Sequence, residues 1–125
     1  MAHIQTFRDL LVWQKAHEFV LMVYKISATF PSHELYSLTN QLRRAALSVA
    51  ANIVEGFHRR TVQESLRFYN IADASLEETR YELLVARDLG YCAQKEYDEV
   101  IAKAESVSKL LRAWIRSQQQ NVLRA

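Results

Sequence analysis

An all-α protein, folded as an antiparallel up-down-up-down four-helix bundle, is what three observations on this sequence predict. Half of the 125 residues are hydrophobic, yet the chain holds only two Gly and one Pro. Sandwiches, barrels and doubly wound α/β folds need many turn residues with special φ values, so this shortage excludes them. Apolar residues recur at steps of three and four over six or more turns, a spacing close to 3.5. The connections between these periodic stretches, around Pro31, Arg60 and Gly90, are short, and that makes consecutive helices antiparallel neighbours. At 14.5 kDa about two-thirds of the unfolded surface is buried on folding, enough for one core and a single domain over residues 1–125.

Helix one is expected over about 7–29. Thr6 and Asp9 offer a capping-box start, and Pro31 ends the segment. Its seam reads Trp13, Ala16, Val20, Val23, Ser27, Phe30. Leu10 to Trp13 and Phe19 to Tyr24 also place apolar side chains almost all the way round, where one buried face needs only a stripe. Either the core is thick here, with Trp13 and Tyr24 partly exposed, or helix one carries a second contact face. The surplus favours the second reading, hence a homo-oligomer.

Helix two is expected over about 34–59, opening with a loose turn through Ser32 to Tyr36. Its seam is Leu38, Leu42, Ala45, Val49, Ile53. Beside it runs a polar line of Gln41, Arg44, Ser48, Asn52, Glu55 and Arg59. The middle of that line is short and neutral, flanked by Ala45, Ala50 and Ala51, so another helix can approach closely. Asn52 then needs partners, because an unpaired buried amide costs about 1–3 kcal/mol. Gly56 lies inside the helix at a cost of about 1 kcal/mol relative to Ala, and marks a close contact.

Helix three, about 62–89, opens on the capping box Thr61-Val62-Gln63-Glu64 and ends before Gly90, a left-handed cap. Its seam is Val62, Leu66, Tyr69, Ala72 or Asp73, Leu76, Leu83, Ala86. Residues 61–90 carry six acids and three arginines, whereas residues 34–60 carry four arginines and two acids. Pairing of Arg43 or Arg44 with Glu77 or Glu78 is therefore expected between the helices. Helix four, about 94–120, has the seam Tyr97, Ile101, Ala104, Ser108, Leu111, Ile115.

Nothing in the sequence has the layout of an active site, so no catalytic residue, metal or cofactor is expected. Glu55-Gly56-Phe57-His58 matches one Glu-x-x-His pair of di-iron bundles, but that chemistry uses two pairs and two further glutamates. Arg59 and Arg60 beside it oppose a cation. Asp73, Glu77, Glu78 and Glu82 read as a solvated or arginine-paired face. The lone Cys92 fits a reducing compartment. The opening residues Met1 to Thr6 lack the basic-then-apolar layout of a secretory leader, and the longest apolar run, Phe19 to Tyr24, is far short of a bilayer span. A cytoplasmic, soluble protein is expected, with no membrane partner.

The net charge of +2 neither announces nor excludes a nucleic acid. The basic residues nonetheless cluster: His58-Arg59-Arg60 between helices two and three, Arg67 further on, then Lys109, Arg112 and Arg116 along one face of helix four. These six cations, Arg59, Arg60, Arg67, Lys109, Arg112 and Arg116, are the candidate contacts to phosphate. Trp114, between Arg112 and Arg116, reads as a core or interface residue rather than a base-stacking platform, so phosphate-dominated, weakly specific binding is expected.

The same residues carry a family likeness. Phe7-Arg8-Asp9-Leu10, Val12-Trp13-Gln14, Val23-Tyr24 and Phe30-Pro31 form its first part. Gln41-Leu42-Arg43-Arg44-Ala45-Ala46 and Ser48 to Gly56 form its centre. Phe68, Ile71-Ala72, Ser75-Leu76-Glu77-Glu78 and Leu89-Gly90-Tyr91 complete it. Over about residues 7–91 the chain resembles the four-helix bundle proteins encoded within intervening sequences of bacterial 23S rRNA genes, and their free-standing relatives. The resemblance implies a cytosolic bundle without established enzymatic activity. It also implies a homopentamer around a central channel, and one related group, the accessory proteins of diversity-generating retroelements, is linked to nucleic-acid and reverse-transcriptase binding. The expected function is a non-catalytic, oligomeric scaffold that binds RNA or a ribonucleoprotein through basic surfaces. The alternatives are a protein-interaction module with no nucleic-acid role, and a metal-binding carboxylate and histidine bundle.

Overall fold

The computed structural model describes residues 3–124, less the side chain of Arg124; Met1 and Ala2 of the leader reading lie outside the described residues. These residues are all-α, without a strand. The helices are α1 (Leu11–Ser27), α2 (Leu38–Phe57), α3 (Val62–Asp88) and α4 (Gln94–Arg124), with single 3-10 turns at Phe7–Asp9 and Ser32–Glu34.

Local chemistry sets most of these boundaries, and it shortens two helices relative to expectation. The Thr6 hydroxyl accepts from the Arg8 N–H, and the Asp9 carboxylate accepts from the N–H groups of Gln5 and Thr6. Those backbone bonds hold the Asp9 carboxyl below the usual range. The turn they cap does not run into α1, because Leu10 takes extended backbone and is buried, 2% exposed. Leaving the helix for one residue lets Leu10 enter the core. α2 starts at Leu38 rather than near Glu34, because Glu34 serves the connection instead. Its carboxylate accepts from the Ser37 hydroxyl at 2.6 Å and from the Tyr91 hydroxyl at 2.7 Å, which also depresses its pKa.

α3 begins at the expected cap. The Thr61 hydroxyl accepts from the Glu64 N–H at 3.2 Å, and Gly90 closes the helix end with φ +77°. Thr61→Ala is expected to cost about 1 kcal/mol. A chemical-denaturation midpoint equal to that of the parent would count against this cap. α4 runs past Gln120 to Arg124. Its last turns hold a largely exposed Leu123.

Each helix packs on two others: α1 on α2 and α4, α3 on α2 and α4. Along α2 with α3, and along α3 with α4, contacting residues run in opposite sequence order. Between α2 and α3, Ser48 meets Ser75 and Gly56 meets Ser65. Between α3 and α4, Tyr69 meets Trp114 and Arg87 meets Tyr97. Lys103 of α4 reaches Glu18 of α1. These contacts are consistent with a bundle around one core of Phe19, Val23, Leu42, Val49, Ile53, Tyr69, Leu76, Leu83, Val100, Val107 and Leu111, each at most 2% exposed.

Most seam residues are buried, with two corrections. Ala72, not Asp73, faces the core of α3. On α4 the stripe turns by one position, so Val100 and Val107 are buried while Tyr97, Ile101 and Ile115 pack at its margin. The apolar surplus of α1 is largely absorbed. Leu10, Val12, Phe19, Val20, Val23 and Ile26 are buried, and Leu11 and Leu21 are left more than half exposed. Tyr24 is partly covered by the Arg43 guanidinium, 4.9 Å from its ring centre.

Candidate nucleic-acid interface

Of the six candidate cations, Arg59 is the most ordered. Its Nη2 lies 2.8 Å from the Glu55 carboxylate, its Nε donates to the Glu55 carbonyl at 3.1 Å, and its guanidinium lies 4.9 Å from the centre of the Phe68 ring. Arg112 reaches Asp73 only at 3.9 Å. Exposed pairs of this kind contribute at most about 1 kcal/mol and leave the cation available. Arg60, Arg67, Lys109 and Arg116 are exposed, and no ion pair joins them to a carboxylate among the described residues.

The opposed order of the helices decides where these cations meet. The start of α1, the end of α2, the start of α3 and the end of α4 lie at one end of the molecule. Residues 3–17, 48–75 and 109–123 form that end, with eight Lys or Arg against four Asp or Glu, a net +4. Residues 18–47 and 76–108 form the other, with seven against ten, a net −3. All six candidates fall in the basic half. A chain of nearly balanced charge thus folds into a molecule with a basic and an acidic end, and such fields concentrate polyanions at the basic one.

At the basic end a hollow of about 280 Å³ is lined by His58, Arg59, Arg60 and Glu64. His58 stands beside the Phe7 ring, centroids 6.2 Å apart, and the Phe57 ring at 5.5 Å, both edge to face. Phe7 in turn meets Trp13 edge to face at 4.9 Å, and Trp13 is stacked on His17 at 5.1 Å with planes 8° apart. Sequence reasoning missed this row of rings, because Phe7 and Trp13 lie more than forty positions from the basic cluster. Glu55 and His58 do not act as a pair: the carboxylate takes Arg59 and the imidazole takes rings.

The middle of the polar line of α2 is satisfied within the helix and by α3. Ser48 Oγ lies 2.8 Å from Ser75 Oγ, and the Asn52 amide donates to the Ser48 carbonyl at 2.8 Å and to its hydroxyl at 2.9 Å. The expected bridge between α2 and α3 is not made in this structure. Arg43 turns to α1, where its Nε donates to Ser27 Oγ at 2.8 Å and its ring neighbour is Tyr24. Glu77 pairs with Arg80 on its own helix, one turn away, while Arg44 and Glu78 are exposed. Ser65, whose hydroxyl donates to the Gly56 carbonyl at 2.6 Å, was not legible as a contact. Its only signal is a small polar residue at the register opposite Gly56.

No helix of the described residues is long and apolar enough to cross a membrane. A family model described as "23S rRNA-intervening sequence protein" matches residues 8–113. The fold is similar to the crystal structure of a protein with unknown function from the S23 ribosomal protein family of Bacteroides thetaiotaomicron VPI-5482. That likeness has a TM-score of 0.79 at 22% identity, over 85% of this chain and 96% of that one. Among curated proteins there is no match.

Proposed function

The chain belongs to the 23S rRNA-intervening sequence protein family, and from that premise we propose that it is a non-catalytic, oligomeric RNA-binding scaffold. It is one cytoplasmic domain, an antiparallel up-down-up-down bundle, whose basic end engages RNA or a ribonucleoprotein. The observation that carries this reading is the separation of charge, net +4 at one end and net −3 at the other. In a homopentamer, the assembly implied by the family resemblance, five such ends sum into a band of about twenty positive charges facing one way. Binding is then dominated by phosphate contacts, which position RNA without reading its sequence.

The test is salt-dependent binding of structured RNA, followed by fluorescence anisotropy. Charge reversal at Arg59, Arg60, Arg112 and Arg116 is expected to abolish binding, and the parent's log Kd is expected to rise linearly with log salt concentration. No binding at low salt would overturn the proposal. A second reading, a module that binds only protein, is favoured by Leu11 and Leu21, which stay 54% and 56% exposed on α1. Partners retained after nuclease treatment, with no RNA in native mass spectra, would support it instead.

A further inference from the structure

The basic end carries more than charge. Five rings from three segments of the chain touch in series: His17, Trp13, Phe7, His58 and Phe57, with centroid spacings of 5.1, 4.9, 6.2 and 5.5 Å. Two imidazoles of the row reach solvent. His17 and His58 are exposed, whereas Phe7, Trp13 and Phe57 are partly buried and hold the imidazoles in place. Stacking fixes the plane of His17, since Trp13 lies parallel to it on one side. His58 borders the hollow of Arg59 and Arg60, and Arg59 is itself held over the Phe68 ring and paired with Glu55. Flat π-faces beside fixed cations are the arrangement that binds unpaired nucleotides: the cations take phosphates and the rings take bases. A duplex cannot use the rings, because its bases are already stacked on one another.

Resting on the RNA reading above, we infer that the basic end is selective for single-stranded RNA, with unpaired bases stacking on the His17 and His58 imidazoles and phosphates held by Arg59 and Arg60. Glu64, the one acid of the hollow, repels a second phosphate there. It can instead accept from the exocyclic amine of a base.

A labelled oligoadenylate single strand and an RNA hairpin of equal length, titrated with the full chain at several salt concentrations, test this. The single strand is expected to bind more tightly than the hairpin. His17→Ala and His58→Ala are each expected to weaken single-strand binding about fivefold or more with the salt slope unchanged, since stacking displaces no counterion. Arg60→Ala is expected to lower that slope by about 0.7. His17→Phe, which keeps the ring without the imidazole, is expected to retain affinity. Both histidines are exposed, and equal thermal midpoints would show that the variants are folded. Equal affinity for strand and hairpin, with histidine variants binding as the parent does, would overturn this inference and leave phosphate binding intact. Absence of binding to either RNA by the parent would overturn the RNA reading and this one with it.

Discussion

Tyr69→Ala is expected to cost about 3–5 kcal/mol, the largest loss from any single truncation in this molecule. Tyr69 is 2% exposed and is the largest of the fully buried side chains. Its ring lies against Gly56 of α2 on one side and edge to face with Trp114 of α4 on the other, centroids 6.2 Å apart. It therefore joins three helices. The absence of a side chain at position 56 makes that possible, because an added Cβ would lie 2.8 Å from Tyr69 Cδ1 and 3.0 Å from Cζ. The ring is fully buried and in contact with Trp114, which limits how far it can shift.

A double-mutant cycle follows from this. Gly56 lies in the last turn of α2, so helix propensity makes Gly56→Ala favourable by at most about 1 kcal/mol. Overpacking a rigid site costs about 1–3 kcal/mol, and here more than that gain. With Tyr69 present, Gly56→Ala is expected to lower stability by about 1–2 kcal/mol. In the Tyr69→Ala background the same change is expected to be stabilising, because the clash is gone and the propensity gain remains. Denaturation at fixed protein concentration measures both signs. A stabilising Gly56→Ala in the parent would show that the contact is not tight.

The second large effect is a loss of stability as the pH rises from about 4.5 to 7. Glu82 is 6% exposed, and its Oε1 has no hydrogen-bond partner. Burial, and then the nearby Glu78 carboxylate one turn back, push its pKa up from 4.5 to about 7. Between these values the folded chain keeps a proton that the unfolded chain releases. Stability from this group is therefore complete below pH 4.5, falls through the window and stays low above pH 7. The span corresponds to a loss on the order of 2–3 kcal/mol. Glu82→Gln carries no charge, so it is expected to remove this component of the slope and to exceed the parent in stability at neutral pH. Parallel stability curves for parent and variant between pH 5 and 7 would refute the assignment. Asp9, Glu18 and Glu34 act the other way, since hydrogen bonds lower their pKa values. Their contribution is lost only as the pH falls below the window.

Breakers, caps and period were written locally. Two Gly and one Pro among 125 residues left room only for long helices. Thr6 with Asp9, Thr61 with Glu64, and Gly90 each act within a few residues, so each could be read without knowing where any other helix lies. Gly56 announced a close neighbour because a glycine in a helix weakens it relative to Ala, although the helix itself stops one residue later at Phe57. The resemblance also followed from the residues, and the family match bears it out over residues 8–113.

Contacts between residues tens of positions apart required the folded chain. Which side chain meets Gly56, whether Arg43 turns to α3 or α1, and which of Ala72 and Asp73 faces inward all depend on axial register. Register depends in turn on where each helix starts. Those starts moved at Leu10 and Leu38, for reasons of burial and of the Glu34–Tyr91 bond. The candidate interface has the same origin. Sequence showed clusters of cations between α2 and α3, in α3 and along α4, and a chain of net charge +2. Packing of the helices gathers them at one end and brings Phe7 beside His58, because electrostatics and stacking act through space while sequence neighbours act only along the chain.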